Sequence, residues 1–332
     1  MQINETKKRF FGAMRRALLA ATLVGAACAP TWAEAPYPTR PIKLVVAFAP
    51  GGGSDFIARL VAVRLGEKLG QPVIVENRPG AGGNLGASTA LKSPADGYTL
   101  FLAAASYTVN PALYKLTFDP IKDITPIAQL ARGPFIIAVN PDVPAKNLKD
   151  LVALAKKEPT KLSYASAGTG SIVHIATEYF LDVTGAPMMH VPYKGTAPAL
   201  TDTISGQTQV VFGTVASTLP FAKADKLRAL AVTTPNRLAA LPDVPTTAEA
   251  GFPNYSVTNW HGIIGPKGIP RDIVDKLNKA INESIHASEM TKGMSSDGLT
   301  PAGGTPAEFG KLLTDETARW QALVAKRDIK VE

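Results

Sequence analysis

The residue types best suited to gripping a small ligand cluster at two turns. One is Pro50, Gly51, Gly52, Gly53, Ser54 and Asp55, inside "VVAFAPGGGSDFIARL". The other is Ala167, Gly168, Thr169, Gly170 and Ser171, inside "LSYASAGTGSIVHIATEYF". Each joins an apolar run to a helical pattern. Glycine removes side-chain bulk, so a ligand can reach backbone N–H groups. A helix N-terminus leaves unpaired N–H groups and a partial positive charge. Together these features can hold an anion without Lys or Arg. A phosphate-binding P-loop would need a Lys after its last glycine, and Ser54 and Asp55 stand there instead. The spacing G-x-G-x-x-G also fails, because Phe56 occupies its last position. Asp55 would repel a phosphate unless its carboxylate turns away, so a weaker anion such as a carboxylate is expected. Asp55 itself reads as a capping or loop-ordering group.

Two further turns share this grammar. "FLAAASYTVNPALY" ends a strand-like run at Ser106, Tyr107 and Thr108, and Thr214 and Ser217 follow "QVVFG". Tyr193 and Lys194 in "VPYKGTAPAL" lie between a short strand and a helix, where side chains can face a cleft. His174 stands four residues before Glu178, the spacing of a helix-surface pair or of a ligand contact. His261 fits a core or a cleft rim. No H-x-x-x-H or C-x-x-C spacing links the four histidines and the single cysteine, so neither metal nor cofactor is expected. Gly170-Ser171 is followed by Ile172 and Val173, so G-x-S-x-G is absent and a Ser-His-Asp hydrolase has little support.

These groups need strands and helices in alternation to position them. "IKLVVAF" (42–48), "VIV" (73–75), "YTLFLAA" (98–104), "FIIAV" (135–139), residues 162–165 and "QVVFG" (209–213) read as buried strands. Helices are predicted after Ser54, over 147–159 with Asn147 as cap, over Ile172 to Val183, and in two C-terminal stretches. The alternation implies an α/β fold with mostly parallel sheets. Ligands in such sheets sit at the carboxyl ends of strands. Proline-rich "VNPDVPAKN" and "VTTPNRLAALPDVPTT" suggest a two-domain clamp with hinge crossings near 130–139 and 227–232. The division expected is 36–131 plus 231–332 for one domain and 132–230 for the other.

The first 35 residues carry Lys7, Lys8, Arg9, Arg15 and Arg16, then an apolar run, then Ala33 and Ala35. That is the layout of a secretory signal peptide, with Cys28 as a lipoprotein anchor the alternative. An exported, periplasmic chain without disulfides follows. The full 332-residue chain is globular in composition, with 45% hydrophobic and 19% charged residues. Three of its eight net positive charges leave with the leader. No basic stripe interleaved with aromatics occurs, so nucleic acid is not an expected partner.

Six ordered stretches resemble the Bug family of periplasmic solute-binding proteins of tripartite tricarboxylate transporters. They are "YPTRPIKLVVAFAPGGGSD", "VIVENRPGAGGNLGA", "PADGYTLFL", "SAGTGSIVHIATEYF", "VPYKGTAPALTD" and "LPDVPTTAEAGFP". The resemblance covers nearly the whole mature chain. It implies a periplasmic binding-protein clamp, type II-like, that closes over a small organic carboxylate without reacting with it. It places the ligand on Pro50 to Asp55 and Ala167 to Ser171. It implies delivery to inner-membrane transporter subunits. A sensor kinase is the alternative recipient, and a monomer is expected because a carrier must present both lobes. An exported hydrolase of carboxylate esters is the competing class. Family ligands range from di- and tricarboxylates to acidic amino acids and aromatic acids, so the resemblance selects none. Tyr107, Phe212 and Trp260 are expected to line the distal pocket and favour an aromatic or long-chain acid.

Overall fold

Strands form where apolar runs can be covered on both faces, and helices follow at their carboxyl ends. The computed structural model describes residues 37–51 and 53–331. The leader with Cys28, and Gly52, lie outside the described residues. In chain order, β1 (Ile42–Val46) leads into α1 (Gly53–Leu69) and β2 (Val73–Asn77). Next come α2 (Asn84–Leu91), β3 (Thr99–Ala104), α3 (Ser106–Leu113) and the long β4 (Ile124–Val139). Then follow α4 (Leu148–Lys157), β5 (Ser163–Ser166), α5 (Ile172–Thr184), β6 (Met189–Pro192), α6 (Thr196–Ile204) and β7 (Val210–Thr214). The chain ends with α7 (Val215–Lys223), β8 (Arg228–Val232), β9 (Thr258–Pro266), α8 (Arg271–Ile285), α9 (Ser288–Ser296), β10 (Thr300–Gly303) and α10 (Pro306–Lys326).

The sheet runs β2-β1-β3-β9-β4-β7-β5-β6, with β8 and β10 also paired to β4. This is the α/β fold that the alternation predicted. Parallel pairing fills two ribbons, β2-β1-β3 and β7-β5-β6, each built by strand–helix–strand crossovers. The strands between them are antiparallel. β4 pairs with β9 from Ile124 to Pro134 and with β7 and β8 from Phe135 to Val139. One unbroken strand therefore passes through both halves of the sheet, and the first predicted crossing lies within it. The second return is stitched by Thr233, just past β8. Its hydroxyl donates to Val257 O at 2.6 Å and accepts from Phe135 N–H at 2.9 Å, and β9 begins one residue after Val257.

Each half has its own core. One gathers Phe101, Tyr107, Trp260, Phe309 and Leu313; the other gathers Phe135, Tyr164, Phe180, Phe212, Tyr255 and Trp320. Helix α10 packs into both, with Phe309 and Leu313 in the first and Trp320, Leu323 and Val324 in the second. It starts at a capping box: Thr305 accepts from Glu308 N–H and Glu308 reaches back to Thr305 N–H. Asn147 caps α4 as predicted, accepting from Asp150 N–H at 2.9 Å. Ser54 does not cap α1. The helix begins one residue earlier, at Gly53, which places Ser54 in the first turn.

Gly262 of β9 lies directly under the Phe309 ring. A Cβ there would stand 2.2 Å from Phe309 Cζ. Overpacking of this kind costs about 1–3 kcal/mol. Gly262→Ala is expected to lower stability by that amount in urea unfolding, whereas Gly268→Ala, with nothing within 4 Å of its added carbon, changes only a strained exposed turn.

Candidate ligand cleft

The first glycine turn is held by a residue one helical turn further on. Asp55 is 4% exposed, and its Oδ2 accepts from Gly51 N–H at 2.9 Å and from Arg59 Nε at 3.0 Å. Its Oδ1 accepts from Asn77 Nδ2 at 2.9 Å, and the same amide donates to Phe48 O. The Arg59 hydrogen bond and the Gly51 amide lower the Asp55 pKa to about 2. Asp55 therefore orders the turn, as its position suggested, and its charge is answered within the turn. The amides of Gly53 and Ser54 meet no acceptor among the described residues. Ser54 Oγ lies 3.1 Å from His261 Nε2. His261 is buried on β9, and burial lowers its pKa to about 4. Its Nδ1 has no partner among the described residues.

The second turn repeats the device with another side chain. Gly170 N–H donates to Nδ1 of His174, again four residues on, at 3.0 Å, and Ser171 Oγ caps α5 by accepting from His174 N–H. Gly168 N–H donates to Ser166 Oγ, which also lies 2.7 Å from His190 Nε2. The rings of His174 and His190 stack at 3.9 Å and 8°, and the Tyr164 ring lies nearly parallel beside the pair, 4.9 Å from His190 and 6.3 Å from His174. His174 and Glu178 are both buried, so the surface-pair reading of that spacing is corrected. The Glu178 carboxylate accepts from Tyr164 Oη and, at 2.7 Å, from Arg327 Nε. His174 Nε2 stays 4.0 Å from it. Burial, reinforced by His190 and Arg327, lowers the His174 pKa to about 3. His174 thus shapes the turn from behind. Thr169 has neither amide nor hydroxyl bonded to protein among the described residues.

The other candidates divide. Tyr193 N–H donates to Ser166 O and Gly195 N–H to Ala167 O, so residues 193–195 run beside the second turn. The Tyr193 hydroxyl is taken by Asp202 at 2.8 Å, while Lys194 is exposed. Ser106 opens α3 beside Phe48 and Gly83 of the first half. Pro50 is exposed at the mouth of the first turn. Thr214 precedes α7, its hydroxyl on Ser217 Oγ at 2.9 Å. The three aromatic residues expected to line a distal pocket are core residues instead. Tyr107 packs on Phe101 and Phe118 with its hydroxyl on Pro120 O. Phe212 is enclosed by Phe180 and Tyr255. Trp260 lies edge-on to Phe309 and donates to Glu316. Each sits on a strand or helix face whose other neighbours are apolar, and burying so large a ring outweighs any gain from exposing it.

Sequence reasoning missed Asp297 and Gly298, between α9 and β10. A Cβ on Gly53 would lie 3.7 Å from Asp297 Oδ2. Gly298 has φ +67, and a Cβ there would fall 2.2 Å from Val215 Cβ, the first residue of α7. This pair bridges the starts of α1 and α7, which belong to different halves of the sheet. Only the D-G turn signal marked it in the sequence. On the other side, Gly170 backs onto Leu113 of α3. A separate cavity of about 440 Å³ lies at the level of the crossing, between Arg132 to Pro134, residues 234–240 and residues 295–300.

The buried histidines give the fold a pH dependence of known sign. Their neutral forms are favoured in the folded chain, so the unfolded chain, with ordinary values near 6.5, binds more protons. Melting temperature is expected to fall between pH 7 and pH 5. His174→Asn keeps an acceptor for Gly170 N–H but cannot titrate, and the fall should shrink. Asp55 acts in a separate window, contributing stability above about pH 4 that is lost toward pH 2.

Residues 57–329 match the family described as tripartite tricarboxylate transporter family receptor. BugT of Bordetella pertussis is 35% identical over 299 residues, covering 89% of this chain and 92% of BugT. A solved periplasmic transporter is 43% identical with TM-score 0.77, covering 89% of this chain and all of that one. A Rhodopseudomonas palustris protein solved with adipate is 35% identical, TM-score 0.76, with 89% and 100% covered. MatC from the same organism, solved with malate, is 30% identical, TM-score 0.73, with 87% and 100% covered.

Proposed function

The chain belongs to the tripartite tricarboxylate transporter receptor family, whose solved members are periplasmic solute-binding proteins, and we propose that it captures one small organic carboxylate between its two halves for delivery to inner-membrane transporter subunits. The family is one of receptors rather than enzymes, and no helix among the described residues is long and apolar enough to cross a membrane.

One observation supports this reading above the others. Two glycine turns, one in each half of the sheet, keep main-chain donors without acceptors among the described residues at Gly53, Ser54 and Thr169. Neither turn contains a Lys or Arg of its own, which suits a carboxylate better than a phosphate. The carboxylates held by its relatives, adipate and malate, are of the same class. The proposed domains are 36–131 plus 231–332 and 132–230, moving about β4 and the Thr233 stitch. Closure would bring the two turns onto opposite ends of the same ligand.

The Ser54–His261 contact is what a hydrolase would need first, but it lacks the rest. A general-base histidine is held by an acceptor on its other nitrogen, and His261 Nδ1 has none among the described residues. Burial also disfavours the imidazolium that such a step would create. The pair is better suited to fixing the direction of the Ser54 hydroxyl.

Calorimetric titration with adipate and malate is expected to give one saturable site for at least one of them, with the acid recovered unchanged. At ligand near 100 Kd, linkage supplies about 2.7 kcal/mol, seen as a melting shift of several degrees. Ser54→Ala is expected to weaken binding about tenfold, the loss of one hydrogen bond of roughly 1–1.5 kcal/mol, with the unliganded melting temperature nearly unchanged. Turnover of a carboxylate ester, or an unaltered Kd in the variant, would count against the assignment.

A further inference from the structure

The acids Asp55, Glu289 and Asp297 differ in how they are answered among the described residues. Asp55 is answered by Arg59, Asn77 and Gly51, and Glu289 by Arg64. Asp297 closes α9 half-buried, with no hydrogen bond or ion pair to its carboxylate among the described residues. Burial raises its pKa, and no donor opposes that rise. A bare carboxylate has been placed beside Gly53, at the edge of the unpaired amides of α1.

Its backbone is held there. Gly298, next in the chain, is in the left-handed region and presses on Val215 at the start of α7. The backbone turn at Asp297 and Gly298 is fixed by N–H bonds from Asp297 to Met294 O and from Gly298 to Ser295 O. The acid therefore stands beside the start of α1, while the next residue in the chain stands against the start of α7.

We propose that Asp297 is a specificity-determining residue: it accepts from a donor group carried by the ligand, an ammonium first, and repels a second anionic oxygen placed at the same point. The inference rests on the cleft reading above and deepens it. Main-chain amides take one ligand carboxylate, and they do so equally for any acid. Discrimination needs a group that treats a donor and an acceptor oppositely, and an unpaired carboxylate in a partly dry site does this. An acid bearing an amino group beside the gripped carboxylate satisfies Asp297. The same carbon chain without it leaves the aspartate uncompensated, a difference that specificity can exploit.

Matched pairs test this directly: succinate against aspartate, and glutarate against glutamate, titrated calorimetrically into the wild type and Asp297→Asn. The wild type is expected to bind the amino-bearing member of at least one pair about tenfold or more tightly than its plain partner. Asp297→Asn removes the charge at constant shape. It is expected to weaken the amino acid and strengthen the plain diacid, bringing the ratio near one. Binding of both members with a ratio that Asp297→Asn leaves unchanged would overturn the role of Asp297 and leave the cleft intact. If no acid of either pair, nor adipate or malate, bound the wild type, the cleft reading would fail and this inference with it.

Discussion

A glycine turn has no shape of its own, and this protein gives shape to two of them in the same way. In each, the side chain four residues after a glycine accepts that glycine's N–H. Asp55 does so for Gly51 and His174 for Gly170. The cost of ordering so flexible a segment is large, and one hydrogen bond within the first helical turn offsets part of it locally. The acceptors differ because their surroundings differ. The first turn is near solvent, where Arg59 and Asn77 can keep a carboxylate charged. The second backs onto a core, where a neutral imidazole in a stack with His190 and Tyr164 is less costly to bury than a charge.

The positions of the turns come from the sheet. Parallel ribbons put the helix starts at one end of each half, and β4 fixes the two ribbons to one axis. Antiparallel pairing on both flanks of β4 keeps the crossing narrow. Among the described residues, β4 and the Thr233 junction to β9 carry the sheet from one half to the other. Helix α10 spans both cores, and Arg327 just beyond it reaches Glu178 behind the second turn. Any movement between the halves must therefore be accommodated by α10 as well as by the strands.

Much of this was legible in the sequence. Continuous apolar runs gave β1, β3 and β7, and glycine followed by hydroxyl residues located both turns and the helices after them. The strand β9 was hard to read because "TNWHGIIGP" mixes a polar start with two glycines, and its pairing partners lie far away in sequence. The roles of Tyr107, Phe212 and Trp260 were misassigned for a related reason. An aromatic residue near a strand end can face the core or a cleft, and periodicity cannot decide between them. His174 read as a helix-surface pair or a ligand contact, and only the fold reveals that its ring is buried and its Nδ1 taken. Asp297 was out of reach, since nothing local ties the end of α9 to the start of α1, more than two hundred residues earlier.

The central claim is that uncharged main-chain donors from both halves hold the ligand, while Gly51 and Gly170 N–H groups serve only the turns. Amide NMR during titration with a saturating dicarboxylate separates these populations. The account expects the Gly53, Ser54 and Thr169 amide resonances to move together with one Kd, and those of Gly51 and Gly170 to move little. Shifts confined to one half, or large at Gly51 and Gly170 and absent at Gly53 and Thr169, would contradict it.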